Sequence, residues 1–314
     1  METGYIERGA AMPESSHGRG LGSVVAATVA PVAAQVADYP HAPSGVAEAS
    51  AILDIDRLRE LARALVAPLS HRIRRGEGGL LVVNASLALA YYPLRDGLGR
   101  TAISLLCLLA LYLFNDVVDA HDDQHNPKKN RALAEWYARD RSMFLALWVL
   151  MSAAAVAAGA WLEPRVAFWV AAVSLINVAY SLRCKKIPVV DIVSVGLWGA
   201  AYASIAIGVT AWVVLVGAMT AVCHIYQTSE DRGVDAASGF ATSAALRASL
   251  LTAFQGGLDA ILVVTAWRLS GGVVALSLAA LFAYWVVWRD RPRIAWLLAK
   301  SHFALVWAYL LVRG

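Results

Sequence analysis

From about residue 78 onward the chain reads as a series of apolar runs broken by short polar stretches. Each run is near the roughly 20 residues that cross a bilayer as a helix. Nine are counted, over 78–95, 99–118, 142–162, 165–182, 188–208, 210–228, 245–267, 271–288 and 294–312. The first is the least regular, because Asn84 and the Tyr91-Tyr92-Pro93 end shorten it. Ahead of these runs the pattern changes twice. Residues 1–50 are rich in Ala, Gly, Pro and Ser with no long apolar run, which predicts a disordered extension. They also lack the basic start and compact apolar stretch of a signal peptide. Over 51–75, Ile52, Leu53, Ile55, Leu58, Leu61, Leu65 and Leu69 recur at helical spacing among Asp54, Asp56, Arg57, Arg59 and Arg63. That pattern predicts an amphipathic helix, lying on the membrane or capping the loops of the bundle that follows over 76–314.

Composition agrees with the pattern. Apolar residues are 59% of the chain and charged residues 16%, against roughly 25% charged in a soluble domain. Mean hydropathy is positive. The expected class is an all-α, polytopic membrane protein. The basic excess, 27 Lys and Arg against 23 Asp and Glu, is modest and clusters in loops, so it reports orientation and anionic headgroups, with no nucleic-acid partner. Cys107, Cys184 and Cys223 are scattered and support neither a disulfide framework nor a zinc site.

Lys and Arg fall unevenly between the two sides. One collects Arg72, Arg74, Arg75, Lys128, Lys129, Arg131, Arg139, Arg141, Arg183, Lys185, Lys186, Arg232, Arg247, Arg289, Arg291 and Arg293, whereas the other holds Arg95, Arg100, Arg165, Arg268 and Arg313. This predicts a cytoplasmic N-terminus, nine crossings and an external C-terminus, with a bacterial inner membrane as the expected location.

Two acidic motifs interrupt the apolar pattern, at ends of spans that this orientation places in the cytoplasm. The first runs from Asn115 through Asp116, Asp119 and Asp122 to Asp123, and the second holds Asp231 and Asp235. On a helix Asn115, Asp119 and Asp123 stack on one face at intervals of four, while Asp116 and Asp122 point elsewhere. Asp231 and Asp235 repeat the interval, with Gln227 and His224 one and two turns earlier. Carboxylates near hydrocarbon are costly, and two such faces would together offer four or more oxygens to a hard divalent ion. Magnesium keeps several waters and bridges carboxylates to phosphate, so a diphosphate is the natural third party. Lys128, Lys129, Arg131, Arg183, Lys185 and Lys186 would balance its remaining charge, although inside-positive topology alone also accounts for them. Tyr112, Phe114, Tyr180, Trp198, Tyr202 and Tyr226 are aromatic candidates for cation–π contact.

The run Asn115-Asp116-x-x-Asp119-x-x-x-Asp123, the pair Asp231-x-x-x-Asp235 and nine expected helices together resemble the UbiA superfamily of intramembrane prenyltransferases. Tyr180-Ser181-Leu182-Arg183-Cys184-Lys185-Lys186-Ile187-Pro188 is similar to that family's stretch after the fourth helix, and Gly239 with Thr242 resembles the tail of its second motif. The resemblance implies nine helices around a central cavity capped by cytoplasmic loops. It implies Mg2+ held by Asn115, Asp119, Asp123, Asp231 and Asp235 on an isoprenyl diphosphate, with Asp116 as a supporting carboxylate. Catalysis would fall to Asp119, Asp123, Asp231, Asp235, Lys185 and Lys186. Substrate binding would fall to Asn115, Asp116, Lys129, Arg131, Tyr180, Arg183, Gln227 and Arg232. One departure concerns the acceptor: where family members that alkylate aromatic acids often carry Arg-Pro and a Gly, Arg131 is followed by Ala132 and Leu133, then Glu135-Trp136.

The leading expectation is transfer of an isoprenyl group to a lipophilic or aromatic acceptor within the membrane. A membrane terpene cyclase of the same superfamily, acting without acceptor, is the alternative. A cation transporter would need acidic residues near the midplane of its spans, and most of the apolar runs have almost none.

Overall fold

The computed structural model describes Ala62 and residues 78–124, 129–237 and 242–313. The expected extension over 1–50 lies outside the described residues, as does the amphipathic helix over 51–75 apart from Ala62, and so do Lys128 and Gly239. Each of the nine apolar runs holds a helix. In chain order the helices are α1 (Gly79–Tyr91), α2 (Leu94–Asp123), α3 (Arg131–Arg139), α4 (Arg141–Leu162), α5 (Pro164–Leu182), α6 (Val190–Ile207), α7 (Ala211–Ala237), α8 (Ala248–Ser270), α9 (Gly272–Trp288) and α10 (Pro292–Arg313). Seven are long and apolar enough to cross a membrane; α1 and α9 are apolar but shorter. The fold is all-helical and multi-pass. No strand occurs among the described residues.

Local chemistry sets the boundaries. Tyr92 precedes Pro93 and is extended, at φ −127° and ψ 157°, because a proline's ring disfavours helix at the residue before it. α1 therefore stops at Tyr91. The short α3 is an element the span pattern did not predict; Asn130 starts it by accepting a hydrogen bond from the Leu133 amide at 3.3 Å.

Consecutive apolar helices pack in sequence, from the α1–α2 pair round to α10, and α10 returns to α7 while α1 also lies on α6. Two hydrogen bonds close the circuit: Trp307 Nε1 donates to Ser86 Oγ at 3.0 Å, and Trp212 Nε1 to the Tyr91 hydroxyl at 2.6 Å. α7 is the most enclosed, with 72% of its apolar window buried against 28% for α4 and α8. It meets α6 backbone to backbone, since a Cβ on Gly217 would lie 2.9 Å from the Gly196 carbonyl and one on Gly199 2.3 Å from Thr220 Oγ1. Such close approach through small residues supplies the dispersion contacts that hold helices together where lipid removes the hydrophobic drive.

Candidate active site

The first acidic motif forms the last three turns of α2, so Asn115, Asp119 and Asp123 share a helix face as their spacing predicted. Asp116, on another face, is buried. The second motif lies on the last turns of α7, with His224, Gln227, Asp231 and Asp235 along one helix; the Asp235 side chain is outside what the structure describes.

What joins the two motifs is the end of α5. Asn177 Nδ2 donates to the Leu111 carbonyl of α2 at 3.1 Å, and Ser181 Oγ donates to Asn115 Oδ1 at 3.2 Å. Past the helix end, in the 3₁₀ turn Cys184–Lys186, the Lys185 ammonium is paired with Asp119 Oδ1. One residue before Ser181, Tyr180 turns the other way and meets the His224 ring of α7 edge-on, with centroids 6.0 Å apart. A single helix terminus thus touches both motif-bearing helices. Lys129 Nζ stands 3.1 Å from Asp123 Oδ2, so the two outer carboxylates of the α2 face each hold one ammonium. Lys185, Asp119 and Asp123 are each at most 15% exposed, which makes these pairs stronger than fully hydrated ones.

The remaining expected residues are more peripheral. Gln227 and Asp231 are half-buried, whereas Arg183, Lys186 and Arg232 are exposed. Arg131 pairs with Glu135 across one turn of α3 at 2.8 Å, both side chains being more than half exposed. Of the aromatic candidates, Phe114 packs on Trp148 with centroids 4.5 Å apart. Tyr202 donates its hydroxyl to the Ser104 carbonyl and stacks on Trp198, and Tyr226 donates to the Leu281 carbonyl. Phe114, Tyr202 and Tyr226 are fully buried core residues; Tyr180 is the aromatic at the junction of α5 and α7.

One element of this end carried no sequence signal. Asp191, fully buried in the first turn of α6, accepts from both the backbone N–H and the hydroxyl of Ser243, and from the Ile192 amide at 2.8 Å. Ser243 Oγ also accepts from the Val189 amide at 2.7 Å. Val189 has φ +72°, unusual for a β-branched residue and costly unless its surroundings hold it. Asp191 and Ser243 therefore clasp the loop after α5 to the loop after α7, the two segments that border the acidic motifs. His224 Nε2 lies 3.7 Å from Asp191, beyond hydrogen-bond distance.

The donors at this end are oxygens and ammonium groups, a set suited to a hard cation and a polyanion rather than to a thiophilic metal. Among the described residues no three His, Cys, Asp or Glu side chains converge as a ready-made metal cage.

Comparison with known proteins places the chain. Residues 80–312 match the UbiA prenyltransferase family. Among solved structures, a UbiA homologue from Archaeoglobus fulgidus bound to DMAPP and Mg2+ superposes with a TM-score of 0.61 at 16% identity, covering 80% of this chain and 97% of that one. The same homologue bound to GPP and Mg2+ gives 0.59 at 15% identity, with 80% and 98% covered. At this identity the likeness establishes the fold. No curated protein sequence matches the chain.

Proposed function

The chain belongs to the UbiA prenyltransferase family, and from that premise we propose that it transfers an isoprenyl group from an isoprenyl diphosphate to a lipophilic or aromatic acceptor within the membrane, releasing diphosphate. The observation that carries this reading is the alternation of carboxylate and ammonium at one end of the bundle, Asp119 with Lys185 and Asp123 with Lys129. A carboxylate face alone would suit a cation and a lysine pair alone an anion; the two interleaved suit a metal–diphosphate. The solved homologue carries Mg2+ with DMAPP or GPP.

In this reading Asn115, Asp119 and Asp123 on α2, with Asp231 and Asp235 on α7, hold Mg2+. Phosphate oxygens and water would supply the remaining ligands, as magnesium prefers. The bound ion would neutralise charge that grows on the departing diphosphate. Lys185 is paired with Asp119 and Lys129 with Asp123; with Mg2+ on those carboxylates, both ammonium groups would be placed to balance the charge of the diphosphate. Ser181 fixes the Asn115 amide so that its oxygen stays oriented. Tyr180, at the junction of α5 and α7, would offer an aromatic face to the allylic cation. The charge bias orients the acidic end to the cytoplasm, and α1 and α9 cross the bilayer with the seven longer helices to give nine crossings.

A second reading, cyclisation of the isoprenyl chain without acceptor, is favoured by one observation. Arg131 pairs with Glu135 on the exposed face of α3, in the segment where family members that alkylate aromatic acids often carry Arg-Pro. Product analysis with a panel of isoprenyl diphosphates, with and without quinone precursors, phenols and sugar phosphates, tests both. A prenylated acceptor supports transfer, and a hydrocarbon or alcohol formed from the diphosphate alone supports cyclisation. Intact diphosphate substrate in every reaction contradicts both.

A further inference from the structure

Among the described residues, His224 is the only histidine buried at the acidic end; His121, on α2, is exposed. The His224 ring is 8% exposed and lies between two neighbours. Tyr180 of α5 meets it edge-on, and Asp191 Oδ2 of α6 stands 3.7 Å from Nε2. Neither ring nitrogen makes a hydrogen bond among the described residues, and Nε2 is buried. A buried polar atom without a partner is uncommon and costs stability, so packing alone does not account for this imidazole.

Asp191 is held independently of it. The Ser243 amide, the Ser243 hydroxyl and the Ile192 amide all donate to the carboxylate. A proton arriving on the imidazole would therefore create a cation beside a fixed, dry carboxylate. Closing the 3.7 Å gap would then turn a long contact into a charge-assisted hydrogen bond. With Nε2–H toward Asp191, the lone pair that can take this proton is on Nδ1. The other charged and titratable groups packed on α7 face different residues. Lys300 of α10 interacts with Cys223, and Asp259 of α8 with Tyr226.

Position along α7 relates the ring to the reaction. His224 precedes Asp231 by seven residues, nearly two turns, so both lie on one stripe with His224 about 10 Å farther from the cytoplasmic end. Tyr180, its neighbour, adjoins Ser181, which bonds Asn115. The ring thus stands at the level of Asn115, the deepest of the expected metal ligands. An isoprenyl diphosphate held at Asp231 with its tail toward the bilayer would bring its reacting carbon between these two levels.

Resting on the proposed function, we propose that His224, oriented by Asp191, is the proton acceptor of the reaction. In transfer, the C1–O bond breaks and its electron pair leaves with the diphosphate. An electron pair of the acceptor forms the new bond to C1, and the hydrogen the acceptor loses passes to the imidazole as a proton. In cyclisation the proton comes from a carbon beside the final cation, and the C–H pair becomes a double bond. In both cases the imidazolium pairs with Asp191 and returns the proton to water as diphosphate leaves.

The test uses the full chain in lipid nanodiscs with Mg2+ and geranyl diphosphate alone, so that acceptor identity does not enter. The allylic cation then has two exits, proton loss to a hydrocarbon and capture by water to an alcohol. Both follow the same ionisation, so their ratio is insensitive to protonation of the metal-binding carboxylates. Wild type should form hydrocarbon, in a share that falls as the pH is lowered through the imidazole range, because only the neutral ring accepts a proton. His224→Gln should lower the hydrocarbon-to-alcohol ratio about tenfold or more and abolish its pH dependence, with diphosphate release falling by less. Asp191→Asn should lower the ratio to a smaller extent. Alcohol as the sole wild-type product overturns the proposal, as does an unchanged ratio in His224→Gln. If that variant fails to insert, a wild-type ratio that does not vary with pH overturns it equally. Absence of diphosphate release by wild type contradicts the proposed function itself, and this step with it.

Discussion

The two ends of α2 both carry charge removed from water, and they differ in what is left over. At the start of the helix Arg100, only 5% exposed, is enclosed on several sides. Its Nη1 donates to the Ile205 and Ala206 carbonyls at the end of α6, its Nη2 pairs with Glu163, and its guanidinium lies 3.8 Å over the Tyr92 ring. Those carbonyls lack intrahelical partners at a helix end, so one arginine satisfies a helix terminus and a carboxylate together. At the far end of α2, Asp119 and Asp123 each hold one ammonium on one oxygen, although a carboxylate offers about four acceptor positions. The first arrangement occupies both terminal nitrogens of the guanidinium, leaves its buried Nε without a partner, and ties α1, α2, α5 and α6 together. The second leaves carboxylate acceptor positions beyond those two pairs, which the proposed function assigns to a ligand.

This contrast predicts that substitutions at the two ends divide between stability and turnover. Asp119→Ala should lower diphosphate release by more than about 10³-fold, and Asp119→Ala combined with Asp235→Ala should cost little more, because both disable one unit. The thermal unfolding midpoint in detergent should hardly move. An additive double variant would separate the two motifs. Arg100→Met should do the reverse: the Ile205 and Ala206 carbonyls lose a buried charged donor while Glu163, 35% exposed, can hydrate, so the cost is about 1–3 kcal/mol, read as a lowered unfolding midpoint, with turnover per folded molecule retained.

Smaller effects sharpen the same division. Lys185→Ala should lower turnover by about 10²-fold with less change in apparent substrate affinity, since a cation at the leaving group acts mainly on the transition state. Unchanged turnover in correctly inserted protein would leave Lys185 as a topology marker. Ser243→Ala should cost about 1–3 kcal/mol of stability, because Asp191 loses a donor and Val189 its acceptor in a buried setting. Its turnover loss should be partial, through loosening of the loops that border the motifs. A Ser243→Thr variant, which keeps the hydroxyl, should recover part of both.

The sequence pattern located the helices well because a bilayer demands long unbroken apolar runs, and α4, α5, α6 and α9 begin and end within two residues of them. The α2 motif was equally legible, since a four-residue interval on a helix leaves one arrangement of Asn115, Asp119 and Asp123. Lys185 was legible as a cation near the site, but its partner Asp119 is 66 positions away and was not. Arg100 read only as an outer-side topology marker, because counting charges by loop treats each one as hydrated and cannot foresee Glu163. Asp191 heads an apolar run with nothing nearby to mark it, and its partner Ser243, 52 residues on, adjoins Thr242 of the second motif's tail, a likeness that does not disclose the pairing. α3 was overlooked because nine residues between spans read as a loop. Local periodicity reveals elements and the residues that share a face; pairings between distant segments follow from packing.

The most direct test of the open acidic end is diphosphate release by purified protein from a single isoprenyl diphosphate, titrated with Mg2+ after EDTA treatment, in wild type and Asp119→Ala. The account predicts no release in EDTA, recovery with added Mg2+ in wild type, and no recovery in Asp119→Ala at any Mg2+ concentration that saturates wild type. Full release in EDTA, or wild-type recovery by Asp119→Ala, would contradict it.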